Sequence, residues 1–420
     1  MLPRLPVYLL ISLPVLLVQG STTSSPRKSS AAPASPPPRP PPPLGDPSWA
    51  LGLRLYQALR SDSSPVNTLF SPLLVASSLG ALGGGSAGTT ASQLQNLLNT
   101  PSPSKAGAQA GDLLSRALKS FAEANLSTFH LHTSSAVFSK QAPAVSQAFV
   151  KDSQARFRLQ HQPLGKGDSK ADLKQLHGWA KAGLGGLEGA PLKAEIQAKA
   201  GALILANALR FKGLWEREFS DESKEQRTFL GKKYTKVMMM HRAGLYRHHE
   251  DIENMVQVLE LPLWGGKASL VLLLPFHVEN LTRLDKLLTL ELLSKWLEKT
   301  SITSVAISLP KANITSTFSL QKQLFALGLT DAWDQKLADF SGVSDKGKLH
   351  LGGVLHWASL ELASQAGKGD TDLEEENIEK PKLFYADHPF IIFVRDNATG
   401  ALLLMGALDH AEGEALHDEL

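Results

Sequence analysis

"FYADHPFIIFVRDNATGALLLMGAL" (Phe384–Leu408) reads as a β-hairpin. Two apolar runs flank "DNATG", where Asn397 and Gly400 suit a turn. Upstream, "ASLVLLLPF" (Ala268–Phe276) and "SVAISLP" (Ser304–Pro310) are β-like and mostly buried. "STFHLHTSSAVFS" (Ser127–Ser139) also reads as strand, and "ALILANALRF" (Ala202–Phe211) fits a buried strand or a helix. Helical patterns come mostly earlier: Leu73–Leu82, Ala91–Asn99, Ala108–Asn125 and Lys170–Leu184. Leu281–Lys299 reads as one amphipathic helix. Helices early and strands late predict an α+β fold in one large unit.

Residues 1–20 have a positive start at Arg4, an apolar run over Val7–Val18 and small residues before Ser21, the pattern of a secretory signal peptide. Residues 21–47 form a Pro/Ser-rich arm whose composition cannot pack a core. Ordered structure is expected from Asp46-Pro47, an N-cap and N1 pair that opens "SWALGLRLYQALR". The chain closes in His417-Asp418-Glu419-Leu420, at the end of a 411–420 tail. This is a signal for a retrieval receptor of the endoplasmic reticulum (ER), which implies the ER lumen. Cys is 0, so disulfides, thiol exchange and Cys-based zinc are excluded, although the ER is oxidising. A net charge of +3 argues against a general nucleic-acid or membrane-surface binder. No later segment has the length and apolarity of a membrane span.

Three stretches resemble the serpin family: Asn67–Leu94, Leu205–Phe219 with its "FKGLW", and Phe384–Leu408. The resemblance covers a domain over 48–410. It implies three β-sheets, about nine helices and an exposed reactive loop, here Ala363–Lys382. In most members that loop is cleaved by a protease and inserts as a strand into the largest sheet. Here Lys368, Asp370, Asp372 and Glu374 occupy alternate positions. Burying these charges unpaired would cost several kcal/mol each. Insertion is therefore expected to be blocked and the chain to be non-inhibitory. A serine-protease inhibitor of the secretory pathway is the alternative.

"KVMMMHRAGLY" (Lys236–Tyr246), "SVAISLPK" (Ser304–Lys311) and "KPKLFYADHPF" (Lys380–Phe390) resemble the collagen-binding chaperone branch of the family. The implied partner is the procollagen triple helix, bound by a monomer. Leu383, Tyr385 and Asp387 alternate, so on a strand they share a face. An apolar pair beside a carboxylate suits proline-rich ridges and an outward arginine. The resemblance adds Ser308 as a neighbour and Lys232 in place of a helper arginine. It also implies release on mild acidification, for which His388, His241, His277 and His356 are candidates. His388 is preferred because it adjoins Asp387; Phe276 stands where the branch carries a second histidine beside His277. "ADHPF" also reads as a plain framework element, and Ser308 as a plain strand serine.

Other signals are weaker. "GGSAG" around Ser86 matches a nucleophile elbow but lacks a strand before it. "RHHED" (Arg247–Asp251) reads as a solvated turn and "MMM" as packing. Asn125, Asn280, Asn313 and Asn397 head glycosylation sequons, with Asn397 expected to be the most exposed. No enzymatic activity, cofactor or metal is assigned.

Overall fold

A computed structural model describes residues 46–62, 66–98, 103–122, 129–141, 145–192, 196, 198–220, 226–367 and 376–416. The signal peptide, most of the arm, Asn125, the charged positions 368–374 and the terminal tetrapeptide lie outside them.

The first half of the chain runs α1 (Pro47–Arg60), β1 (Thr68–Phe70), α2 (Pro72–Gly84), α3 (Gly88–Leu97), α4 (Pro103–Ala122), β2 (Phe129–Lys140), α5 (Gln147–Phe157), β3 (Leu159–Leu164), α6 (Ser169–Gly183) and β4 (Ala202–Gly213). Then follow β5 (Gln226–Leu230), β6 (Tyr234–Asp251), β7 (Val256–Pro262), β8 (Ala268–Pro275), α7 (Thr282–Leu287) and α8 (Leu290–Lys299). The rest is β9 (Ser301–Pro310), β10 (Ala312–Ser319), α9 (Gln321–Ala326), β11 (His350–Leu362), β12 (Lys382–Tyr385), β13 (Phe390–Asp396), β14 (Leu402–Leu408) and β15 (Glu414–Ala415).

Two helices start by the same device. Asp46 accepts from the Ser48 amide at 2.8 Å with Pro47 at N1, and Ser71 accepts from the Leu74 amide at 3.2 Å with Pro72 at N1. Each cap satisfies a donor that the first turn cannot, and is worth about 1 kcal/mol. The expected single helix over Leu281–Lys299 is two. Leu288 and Thr289 are extended, and the Thr289 hydroxyl accepts from the Leu292 amide at 3.1 Å to start α8. A local cap has overridden an unbroken apolar period.

The strands form a five-stranded sheet, in the order β10-β11-β4-β2-β3, and a ten-stranded one. The latter follows β1-β14-β13-β8-β7-β6-β9-β12, with β5 and β15 also on β6. The three implied sheets correspond to the five-stranded sheet and to two strand groups that share the 18-residue β6. "ALILANALRF" is the strand β4, paired with β2 on one side and β11 on the other. Its residues from Ala202 to Leu209 are all buried, which explains a run with no alternation. The C-terminal hairpin is β13–β14, set between β8 and β1. Burying Phe390 and Phe393 there contributes roughly 2–3 kcal/mol each. "RHHED" is the end of β6 rather than a turn, and His248 is buried there with Nε2 3.1 Å from Gln257.

Candidate functional site

β12 is an edge strand, parallel to β9. Phe384 and Ala386 point inward and are fully buried. Strand alternation then turns Leu383 and Tyr385 outward together, whereas Asp387, expected on the same strand, lies in the bend that follows β12 and is partly exposed there. Leu383 is 73% exposed and Tyr385 39%. Leu383 lies opposite Ala306 and Tyr385 opposite Ser308 on β9. β6 extends the face on the far side of β9, with His241 opposite Ser308, Ala243 opposite Ala306 and Leu245 opposite Ser304. Leu245 is 38% exposed, a third large apolar side chain on this surface. The sequence reading missed it, although it follows His241 and Ala243 at strand spacing.

Asp387 follows this pair with its side chain 23% exposed. Its Oδ1 is 2.8 Å from Nδ1 of His388, and its backbone carbonyl accepts from the Leu230 amide at 2.7 Å. Its Oδ2 has no hydrogen-bond partner among the described residues. The opposite ring nitrogen of His388, Nε2, is 2.8 Å from the Pro275 carbonyl. Both ring nitrogens of this buried histidine thus face oxygens that only accept. A neutral ring donates to one of them; an imidazolium donates to both.

Ser308 is tied to the face twice. Its Oγ lies 2.8 Å from His241 Nδ1, and its carbonyl accepts from the Ala386 amide at 2.9 Å. Lys232 is exposed on the turn between β5 and β6. Leu230, at the start of that turn, holds the Asp387 carbonyl, and the Lys232 amide donates to Asp409 at 3.3 Å. The pKa of His241 is pushed down by burial and by the nearby Arg227 guanidinium. Arg227, on β5, is thus a second cation beside this face that the sequence did not reveal.

The other histidines are placed differently. His277 is exposed in the loop after β8, two residues beyond the carbonyl that faces His388. His356 belongs to β11 in the five-stranded sheet, where Nε2 accepts from the Ser71 amide at 2.9 Å. Burial drives its pKa down to about 3, so it stays neutral in mild acid and cannot sense it. Asn397 is not the most exposed sequon: its Oδ1 accepts from Ser269 at 2.8 Å and its Nδ2 donates to Gly266 at 3.0 Å. Asn280 and Asn313 are exposed. Ser86 follows α2, not a strand, and its hydroxyl donates to Gly83 at 2.8 Å.

The reactive loop leaves β11 against the chain that follows β4. The amides of Trp215 and Phe219 donate to Gln365 at 3.0 Å and Ser364 at 2.9 Å, and the Gly367 amide donates to Trp215 at 3.1 Å. The Trp215 indole also donates to Ala363. Beyond residue 375, Glu376 accepts from Arg242 and from the Leu245 amide at 3.0 Å. β4 and β11 pair directly from Ala202–His350 to Lys212–Glu361, so no strand lies between them.

A closed five-stranded sheet, whose β11 leads by a long connection to β12 in the other sheet, is the architecture expected of serpins. The model of the serpin (serine protease inhibitor) family matches residues 48–410, and the chain belongs to this family. It is 37% identical over 380 residues to Serpin H1 of Mus musculus, covering 90% of each chain. Serpin H1 of Gallus gallus is 36% identical, with 93% of its length covered. Leukocyte elastase inhibitor A of Rattus norvegicus is more distant, at 28% identity over 367 residues with 84% of this chain and 96% of the inhibitor covered. The crystal structure of uncleaved ovalbumin superposes with a TM-score of 0.76 at 22% identity, over 87% of this chain and 98% of ovalbumin.

Proposed function

We propose that this serpin is a non-inhibitory, monomeric chaperone of the ER lumen that binds the collagen triple helix through the β12 edge. The observation that carries the reading is the series Leu383, Tyr385, Asp387: two exposed apolar side chains followed by a carboxylate with one oxygen unpaired among the described residues. Leu383 and Tyr385 cover proline-rich ridges of the triple helix. Asp387 takes an arginine of a Gly-Xaa-Arg segment through Oδ2, a charge-assisted bond worth roughly 1.5–3 kcal/mol. Ser308 offers a hydroxyl beside Tyr385. Lys232 adds a polar contact without the planar fork of arginine.

Mild acid reverses the binding through His388. Its protonated ring becomes a cation on Oδ1 of Asp387 and competes with the guanidinium of the ligand. After unloading, the His417–Leu420 signal returns the protein through its receptor. Asn280 and Asn313 are the better placed glycan acceptors. The higher identity to Serpin H1 than to the elastase inhibitor supports a non-inhibitory role.

The test is a pull-down on triple-helical Gly-Pro-Arg peptides and on their melted chains, at neutral and mildly acidic pH. Capture of the folded peptide alone, lost in acid, is expected. Equal capture of melted chains, or a covalent complex with a serine protease, would overturn the reading.

A further inference from the structure

The five-stranded sheet has a distinctive feature at the foot of its central seam. A cavity of about 660 Å³ opens there, lined by Lys199, Gln321, Trp333, Asp334, Lys336 and His350 among others. That volume suits a small molecule. Lys199 leads into β4: its carbonyl accepts from the Ala202 amide at 2.9 Å. His350 begins β11, and its amide donates to Gly201 at 3.1 Å. The pairing of the two strands is irregular here, with a register shift between Leu351 and Gly353. The cavity, lined by Leu351 and Gly352 as well, lies at this irregularity.

The chemistry of the wall is one-sided. Among the described residues, neither Lys199 nor Lys336 has an ion-pair partner. His350 is only 6% exposed, yet its ring makes no hydrogen bond to any described residue. Because the ring lines the cavity, a bound anion could supply the acceptor that the protein does not. The carboxylate present, Asp334, is partly satisfied, since its Oδ1 accepts from the amides of Lys336 at 2.7 Å and Leu337 at 3.2 Å. Gln321 and Gln335 add side-chain amides to the rim.

We propose that this cavity binds a small multivalent oxyanion, a sulfate, phosphate or polycarboxylate, held between Lys199 and Lys336 with His350 as the buried donor. The bound anion ties the foot of β4 to the foot of β11 and holds the sheet closed. It neutralises two lysines that face one opening, and gives the buried imidazole the acceptor it lacks. The site shares no residue with the Asp387 face, so it does not depend on the collagen reading.

The test is calorimetric titration of the full chain with inorganic sulfate, inorganic phosphate and citrate at fixed ionic strength, against chloride as the blank. Saturable binding of one anion per chain is expected, and the ranking of the three identifies the class of the natural ligand. Lys199→Ala and Lys336→Ala should each weaken binding about tenfold, and the double variant Lys199→Arg with Lys336→Arg should restore it. Both lysines are exposed, so neither change endangers the fold. The ring resonances of His350 should shift during the titration. Non-saturable heats, equal binding by the alanine variants, or an unmoved His350 signal would overturn the proposal.

Discussion

Two seams in this molecule share one hydrogen-bonding pattern and have opposite surroundings. β4 and β11 run parallel through the middle of the five-stranded sheet, with Leu205, Leu355 and Trp357 all buried. β9 and β12 also run parallel, but over only Lys382–Tyr385, and three of those four residues are exposed. Parallel strands are ordinarily covered on both faces. The first seam obeys that rule and the second breaks it. Protease inhibition in this family would require the first seam to part; the proposed collagen binding would require the second to stay bare. A chain can keep the fold while shifting its work from one seam to the other, provided the inserting loop is charged and the edge strand carries a recognition row.

The largest expected effect falls on the covered seam. Trp357→Ala should cost about 3–5 kcal/mol of folding stability, read from denaturant midpoints, while the folded fraction still binds triple-helical peptide normally. A loss of binding per folded molecule would mean that the two seams are coupled. On the bare seam the pattern inverts. Asp387→Asn should weaken peptide binding by about 1.5–3 kcal/mol, roughly tenfold to more than a hundredfold, with an unchanged denaturation curve. Retained affinity would remove the carboxylate from the site.

Acid separates the seams again. His356 is neutral when folded, with a pKa of about 3 against an ordinary 6.5. Below about pH 6.5 the unfolded chain takes the proton and the folded one does not. Stability is thus complete above that pH and falls by about 1.4 kcal/mol per unit as pH drops towards 3. His356→Gln should flatten the slope, and an unchanged slope would assign it elsewhere. Peptide release through His388 should survive that substitution. The smallest effect concerns the outer end of the covered seam, where Lys212 and Glu361 pair at 2.6 Å with partly exposed side chains. Lys212→Ala should cost well under about 1 kcal/mol, because solvent screens the pair; a larger loss would mark that end as a latch.

What the sequence disclosed follows period and cap. The C-terminal hairpin, the start of α1 at Asp46-Pro47 and the outward pair Leu383 and Tyr385 all rest on local spacing, which the chain carries in full. What it hid depends on register between distant segments. Leu245 and Arg227 join the site only because β6 lies beside both β9 and β5. The second contact of His388 comes from Pro275, 113 residues away. The burial of His356 and the tethering of Asn397 are likewise set by neighbours that no local pattern announces. Thr289 is the exception: a cap that was readable in place but was masked by an apolar period running across it.

The docking of α1 has a consequence for how the protein is made. The Trp49 indole donates to the Gly400 carbonyl at 2.8 Å, a separation of 351 residues, and Ser48 accepts from the Leu402 amide at 3.0 Å, a separation of 354. Arg60 reaches Asp409, 349 residues on. During translation α1, the first helix among the described residues, emerges without any of these partners, and must wait for almost the whole remaining chain to leave the ribosome. Closure of so long a loop is slow, and the waiting chain exposes apolar surface meanwhile. A protein proposed to shepherd another chain through folding would itself be a late finisher, and premature termination anywhere before β14 would strand its first helix.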